Sequence, residues 1–179
     1  MHLLTHSQAG PYGWSLADAR PESIVSITAL EPAGPPFVPD IHVPGIPVYL
    51  WGLGDIPLNY TPPLPNNSPE ALNAQKIVVN DPSIDAYTCY AQSPPLRTLP
   101  NLASIPVQVV ASSSSWLGHV SSCIVRYLMQ VGVHVDYVRL QDVGFPGHGH
   151  MFFIEVGSIE IVQEVVGPWL RKHDKRIGM

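Results

Sequence analysis

The chain has 179 residues, of which 45% are hydrophobic and 13% are charged, and its formal net charge is -5. This composition is typical of one globular domain and excludes an intrinsically disordered chain, and the acidic balance argues against nucleic acid as the main partner. No run approaches the roughly 18 consecutive apolar residues of a membrane-spanning helix, so no such span is predicted.

The first predicted elements are a strand and a helix on either side of Ser7. Residues 2–6 are consistent with a short strand, and residues 10–20 with a helix that ends before Pro21. This layout is typical of a nucleophile elbow, in which a tight turn forces a serine side chain out of a sheet. The alternative is that Ser7 only caps the helix, where its oxygen would lie near unpaired backbone N–H groups.

The regular elements that follow alternate between strands and helices. Residues 23–30 form a β-branched run that is apolar on both faces, as buried parallel strands tend to be. The further predicted elements are a strand at 105–111, a helix at 117–132, a strand at 133–140 and a helix at 158–172. This order predicts an α/β fold with a parallel sheet of about four strands and flanking helices.

A proline-rich segment interrupts the alternation. Most of the 20 prolines lie between residues 33 and 103, where periodic runs are few. Because so long a loop is unusual inside a core, we interpret residues 35–103 as a cap-like insertion. Residues 1–34 would then carry the first part of the core, and residues 104–179 the second. Within the insertion, Ser68 followed by Pro69 predicts a helix over 68–76.

Two histidines lie in a glycine-rich loop between the last predicted strand and helix. His150 can serve as the base that takes a proton from Ser7, because a neutral imidazole accepts and returns a proton readily. His148 is the rival, but we prefer His150 because it stands at the end of the loop, next to an apolar segment. A metal site is not expected, since no cluster of carboxylates accompanies the two histidines.

The acid that would orient the histidine is the least obvious of the candidate catalytic residues. No carboxylate follows the strand at 105–111, where Ser112 begins a run of four serines. Glu31 instead follows the strand at 23–30, where its carboxylate could reach the far nitrogen of an imidazole. The alternatives are that Glu31 is merely solvated at a strand end, or that Asp142 supplies the acid.

The two cysteines, Cys89 and Cys123, are too few for a disulfide framework. The sequence leaves open whether they form one bridge or remain two packed thiols.

Four segments resemble the α/β-hydrolase superfamily, and specifically a bacterial and fungal esterase branch whose catalytic acid follows the sixth strand. They are the segments at 3–10, 29–37, 51–58 and 147–151. The resemblance implies a Ser7–Glu31–His150 triad and an oxyanion held by the backbone N–H of Gln8. It also implies a second oxyanion donor from a loop after the third strand, which has no counterpart in this chain.

Taken together, the sequence predicts a serine hydrolase that acts on small-molecule carboxylic esters and needs neither metal nor cofactor. Trp51, Tyr60 and Tyr87 of the insertion would roof the substrate pocket. We expect the chain to be N-terminally truncated; the alternative is a non-catalytic remnant or interaction protein. Localisation stays open, because no signal peptide is evident and a parent enzyme could be secreted. The oligomeric state also stays open, a homodimer included.

Overall fold

Four parallel strands form the central sheet of the computed structural model, which describes residues 1–37, 49–81 and 84–174. The strands of the chain are β1 (His2–His6), β2 (Ser26–Leu30), β3 (Ala74–Asp81), β4 (Ile84–Gln92), β5 (Val107–Ala111) and β6 (Val135–Arg139). The sheet order is β1-β2-β5-β6, and β3 pairs with β4 in a separate antiparallel hairpin. The α/β class and the parallel four-stranded sheet predicted from the sequence are therefore confirmed.

The helices cover both faces of this sheet. They are α1 (Ala9–Ala19), α2 (Pro100–Ala103), α3 (Gly118–Gln130), α4 (Ser158–Ile161) and α5 (Gly167–His173). A π-helical turn, Val162–Val166, joins α4 to α5, so the predicted last helix is one helical segment with a change of pitch. Within the described ranges, no helix is both long and apolar enough to cross a membrane.

Alternation along the central strands divides the core into two parts. All residues of β2 and β5 are buried, as the apolar runs predict, whereas the outer strand β6 is half-buried. Ile27 and Val109 point into the larger cluster, which includes residues of α1, of α3 and of the segment at 51–72. Leu30 and Val110 point into the smaller one, which includes residues of α4 and of the segment before it. Period-two alternation thus gives each central strand two buried faces.

The predicted helix over 68–76 is wrong. The structure has a 3-10 turn at Pro69–Leu72, after which Asn73 takes a left-handed φ of 46° and β3 begins at Ala74. Proline at the start of the turn was interpreted correctly as a helical start, but the helical segment ends after four residues. Antiparallel pairing of β3 with β4 overrides the local helix propensity of the sequence.

A disulfide attaches this hairpin to the core. Cys89 of β4 is bonded to Cys123 of α3, and both are buried. Gln92 and Gln130 add two hydrogen bonds of 2.9 and 3.0 Å between the hairpin end and the end of α3. Of the two alternatives left open by the sequence, the structure has the bridge.

The carboxyl ends of β1, β2, β5 and β6 lie at one edge of the sheet, because all four strands are parallel. The residues that follow these strands are therefore brought together, as is usual in open α/β sheets. Ser7, Glu31 and Ser112 directly follow β1, β2 and β5.

Candidate active site

Ser7 lies in a tight turn between β1 and α1. Its φ is 53°, in the left-handed region that side chains other than glycine rarely adopt. The carbonyl oxygen of Ser7 accepts hydrogen bonds from the N–H groups of Gly10 and Ala33, each at 2.9 Å. The turn is therefore held both by its own helix and by the chain after β2. Strain of this kind concentrates at functional sites, where the surrounding structure maintains it.

Glu31 lies in a second strained turn, directly after β2. Its φ is 43°, and its side chain is fully buried. Oε1 accepts hydrogen bonds from the N–H and the hydroxyl of Ser112, at 2.8 and 2.6 Å, and Oε2 lies 2.7 Å from His150 Nδ1. A buried carboxylate is tolerated when its oxygens are paired in this way. Glu31 is therefore not a solvated residue at a strand end.

His150 connects the two turns. Its Nδ1 faces Glu31, and its Nε2 lies 3.0 Å from Ser7 Oγ. A carboxylate only accepts hydrogen bonds, so Nδ1 carries the proton and Nε2 has a free lone pair for the Ser7 hydroxyl. This is the tautomer that a proton-accepting histidine needs. The structure thus brings together Ser7, His150 and Glu31 in one hydrogen-bonded series.

Two aromatic side chains contact the His150 ring. The centroid of the Trp116 ring lies 4.7 Å away and that of the His6 ring 4.4 Å away. Trp116 is 52% exposed, so it forms part of the surface beside His150. An aromatic face within about 6 Å of a ring that becomes cationic stabilises that cation.

The two rival residues have other partners. His148 Nδ1 lies 3.0 Å from Glu155, whose carboxylate also accepts a hydrogen bond from the N–H of Gly149. Asp142 is 55% exposed and forms an ion pair with Arg139 at 2.9 Å. His148 therefore supports the loop that leads to His150, while Asp142 lies on the surface beside its own strand.

Two of the three aromatic residues predicted to roof a pocket, Trp51 and Tyr60, are buried. Trp51 and Tyr60 belong to the larger core cluster, and the Tyr60 hydroxyl contacts the Trp51 carbonyl and the Tyr127 hydroxyl. Burial raises the pKa of Tyr60, so the phenol stays neutral. Trp51 and Tyr60 are both buried, and their predicted place beside the substrate stays a prediction.

Tyr87, the third predicted roof residue, is partly buried on β4. Its ring lies 6.1 Å from that of His119, in the first turn of α3, and it packs against the disulfide. It stands at the same end of α3 as Trp116, and its predicted role in substrate binding stays a prediction.

Ser112 is a residue that sequence reasoning passed over. Its hydroxyl lies 2.6 Å from Glu31 Oε1 and 2.9 Å from the carbonyl oxygen of Gly149. It therefore connects the acid turn to the histidine loop. Its position at the carboxyl end of a buried strand was a usable signal, but only carboxylates were sought there.

Gln8, predicted to hold an oxyanion, is an exposed residue directly before α1 and has helical backbone angles. The first N–H groups of a helix lack partners within it and carry a partial positive charge. Among the described residues, no group of three or more His, Cys, Asp or Glu side chains is arranged to hold a metal ion.

Gly10→Ala should destabilise the protein and weaken the site together. A Cβ at this position would lie 2.6 Å from Pro32 Cβ and 3.0 Å from Pro32 Cα, and the backbone there cannot move freely. We expect a loss of about 1–3 kcal/mol in the free energy of unfolding, as for other overpacked sites. Urea denaturation measures this loss. Gly54→Ala is the matched control, because its new Cβ would meet a rotatable hydroxyl at 3.3 Å. Equal stability of the two variants would contradict the prediction.

The chain is similar to a fungal lipase and, among other solved structures, to a bacterial esterase, while no protein-family model matches it. A probable secreted lipase from a fungal species is 39% identical over 171 residues. The match covers 96% of this chain and 46% of the lipase, so the chain spans about half the length of that relative.

The second similarity is to the solved structure of a novel bacterial esterase. The TM-score is 0.52 at 17% sequence identity, and the match covers 97% of this chain and 38% of the esterase. At this level of identity the likeness concerns the fold. The parallel sheet and its flanking helices agree with part of an α/β-hydrolase fold, and the two similar proteins are named as a lipase and an esterase.

Proposed function

We propose that this chain is a serine hydrolase that acts on carboxylic esters, with Ser7 as nucleophile, His150 as base and Glu31 as orienting acid. The observation that carries the proposal is the pair of hydrogen-bond distances at His150, 3.0 Å to Ser7 Oγ and 2.7 Å to Glu31. Nucleophile and base within hydrogen-bond reach, with the base oriented by a third group, is the arrangement expected for covalent catalysis. The names of the fungal and bacterial relatives support an ester substrate.

In the proposed reaction, Ser7 Oγ attacks the ester carbonyl carbon while His150 Nε2 takes the hydroxyl proton. The imidazolium that forms is stabilised by the buried Glu31 carboxylate. Collapse of the tetrahedral intermediate breaks the bond to the alcohol, which leaves with the proton from His150. His150 then takes a proton from a water molecule that attacks the carbonyl carbon of the acyl–serine. The bond between this carbon and Ser7 Oγ breaks, the carboxylic acid leaves, and His150 returns the proton to Ser7.

The negative oxygen of the intermediate needs hydrogen-bond donors. We assign one donor to the backbone N–H of Gln8, which follows the nucleophile at the start of α1. A single oxyanion donor contributes about 10²–10³ in rate in enzymes where it has been removed. No metal or cofactor takes part in any of these steps.

A fluorophosphonate probe tests the proposal directly. Ser7 Oγ would form a bond to phosphorus, fluoride would leave, and the hydroxyl proton would pass to His150. We expect stoichiometric labelling of the folded wild type, with the adduct on the Ser7 peptide by mass spectrometry. Ser7→Ala should lose the label. Ser104→Ala is the matched control, because this exposed hydroxyl, bonded to the carbonyl of Asn101, should be irrelevant to labelling.

Absence of label on folded wild type would overturn the proposal. That result would favour the alternative of a non-catalytic protein that retains only part of an ester hydrolase. Labelling of Ser7→Ala at the wild-type rate would also contradict the assignment, since another serine would then be the nucleophile.

A further inference from the structure

His6 contacts the histidine loop although the two are far apart in the sequence. It is the last residue of β1, directly before Ser7, and its Nε2 lies 3.0 Å from the carbonyl oxygen of His150. A carbonyl oxygen only accepts, so Nε2 of His6 carries a proton and donates it. The His6 ring also packs edge-on against Phe153, with centroids 4.5 Å apart.

This contact adds a third restraint on His150. The imidazole of His150 is held at Nδ1 by Glu31 and at Nε2 by Ser7, whereas His6 holds its backbone. Because His6 and Ser7 are neighbours in one chain segment, the His6 bond places the base relative to the nucleophile itself.

We infer that His6 is a positioning residue that holds the His150 backbone and keeps Nε2 directed at Ser7 Oγ. The inference rests on the proposed function and deepens it. A misplacement of about 1 Å at such a site can cost about 10²-fold in rate, so a hydrogen bond that fixes the backbone has a large effect on kcat.

The charge of His6 matters because its ring lies 4.4 Å from the ring that becomes imidazolium. The titratable groups that act on His6 electrostatically are His150 and Glu31. Burial lowers the pKa of His6 below its ordinary value, a positive charge on His150 lowers it further, and the hydrogen bond and Glu31 oppose this. His6 is therefore neutral at pH 7. As the pH falls through its lowered pKa, a second cation forms beside His150 and disfavours the imidazolium.

Two substitutions separate the roles of His6. His6→Gln keeps an N–H donor at similar reach but cannot titrate, and His6→Phe keeps an aromatic ring but loses the donor. His134→Gln is the matched control, because His134 is an exposed histidine before β6, at the opposite edge of the sheet. For each protein, kcat and KM for a p-nitrophenyl ester and the rate of fluorophosphonate labelling are measured from pH 5 to pH 9, with thermal unfolding as the folding check.

We expect His6→Phe to lower kcat and the labelling rate by about 10–100-fold, with KM nearly unchanged, because only positioning is lost. The kcat of His6→Gln should stay within about threefold of the wild-type value at pH 8, since the glutamine N–H replaces the imidazole N–H as donor to the His150 carbonyl. The kcat of His6→Gln should also fall less steeply with decreasing pH than that of the wild type, because glutamine does not titrate and only His150 then has to be deprotonated. His134→Gln should match the wild type throughout.

The inference would be overturned by His6→Phe with wild-type kcat, or by His6→Gln with a loss as large as that of His6→Phe. A His6→Gln profile as steep as the wild type would overturn the role of the neutral form. An unlabelled wild type is a different result, since it overturns the proposed function and the inference with it.

Discussion

Glu31→Gln is expected to lower kcat for ester hydrolysis by about 10³–10⁴-fold, comparable with the loss when a triad histidine is held in the wrong tautomer. The Glu31 carboxylate accepts from Ser112 through Oε1 and from His150 through Oε2. An amide has only one acceptor oxygen, so it cannot satisfy both partners. The side chain is fully buried, so water cannot replace the missing acceptor.

Each orientation of the new amide has a defined cost. If its oxygen faces Ser112, the NH₂ group faces His150 Nδ1 and favours the tautomer with the proton on Nε2, which cannot accept from Ser7. If its oxygen faces His150, the NH₂ group faces the N–H of Ser112 and leaves two buried donors opposed. The first orientation keeps the protein stable but inactive, and we expect it to dominate.

The measurements are kcat and the fluorophosphonate labelling rate at pH 8, with circular dichroism to verify folding. Asp142→Asn is the matched control, since Asp142 is the other carboxylate that the sequence offers for this role and it is exposed beside Arg139. We expect its kcat to stay within about twofold of the wild type, as for other surface ion pairs. A loss in Asp142→Asn and none in Glu31→Gln would reverse the assignment of the acid.

The sheet was predictable from the sequence because its central strands are local runs of β-branched and apolar residues. The β-branched run at 23–30 and the apolar run at 105–111 become the fully buried strands β2 and β5. Once both are parallel, their following residues must meet at one edge, which is why Glu31 could be named as the acid. Local pattern and global topology agree at these positions.

The contacts that His6 and Ser112 form at this site could not be predicted in the same way. The bond from His6 spans 144 residues and that from Ser112 to Glu31 spans 81, so no local spacing reveals them. Each depends on the side chain that happens to stand at the carboxyl end of a strand. Histidine and serine at strand ends are also common as ordinary polar residues, and only the folded arrangement distinguishes the two cases.

The segment at 35–103, predicted to be a cap-like insertion, was the least predictable part of the sequence. The sequence at Pro69–Leu72 starts as a helix would, and the residues beyond it also favour a helix by propensity. The apolar residues of β3 and the aromatic residues of β4 favour strands. The proline residues on either side favour loops, and they outweighed this pattern. Packing on α3 through Cys89 and Cys123 decides the outcome, because a hairpin alone is marginally stable.

Loss of the Cys89–Cys123 disulfide should lower the free energy of unfolding by about 3–4 kcal/mol. The bridge closes a loop with a sequence separation of 34 residues, and the chain-entropy relation gives this magnitude for a loop of that length. The double variant Cys89→Ser/Cys123→Ser removes the bridge, and urea denaturation of oxidised and reduced proteins measures the change. Because both sulfurs are buried, the reductant is equilibrated with the protein throughout the urea series.

The double variant also supplies the control. Reductant should lower the urea midpoint of the wild type to that of the double variant, and it should leave the midpoint of the double variant unchanged. The triad should be less affected than the fold, because Ser7, Glu31 and Ser112 follow sheet strands that the hairpin does not join. We therefore expect the folded variant to label at Ser7 within about threefold of the wild-type rate in the absence of urea, since bonds within the site are unchanged. Equal stability of the oxidised and reduced wild type would contradict the bridge, whereas lost labelling in a folded variant would show that the hairpin supports the site.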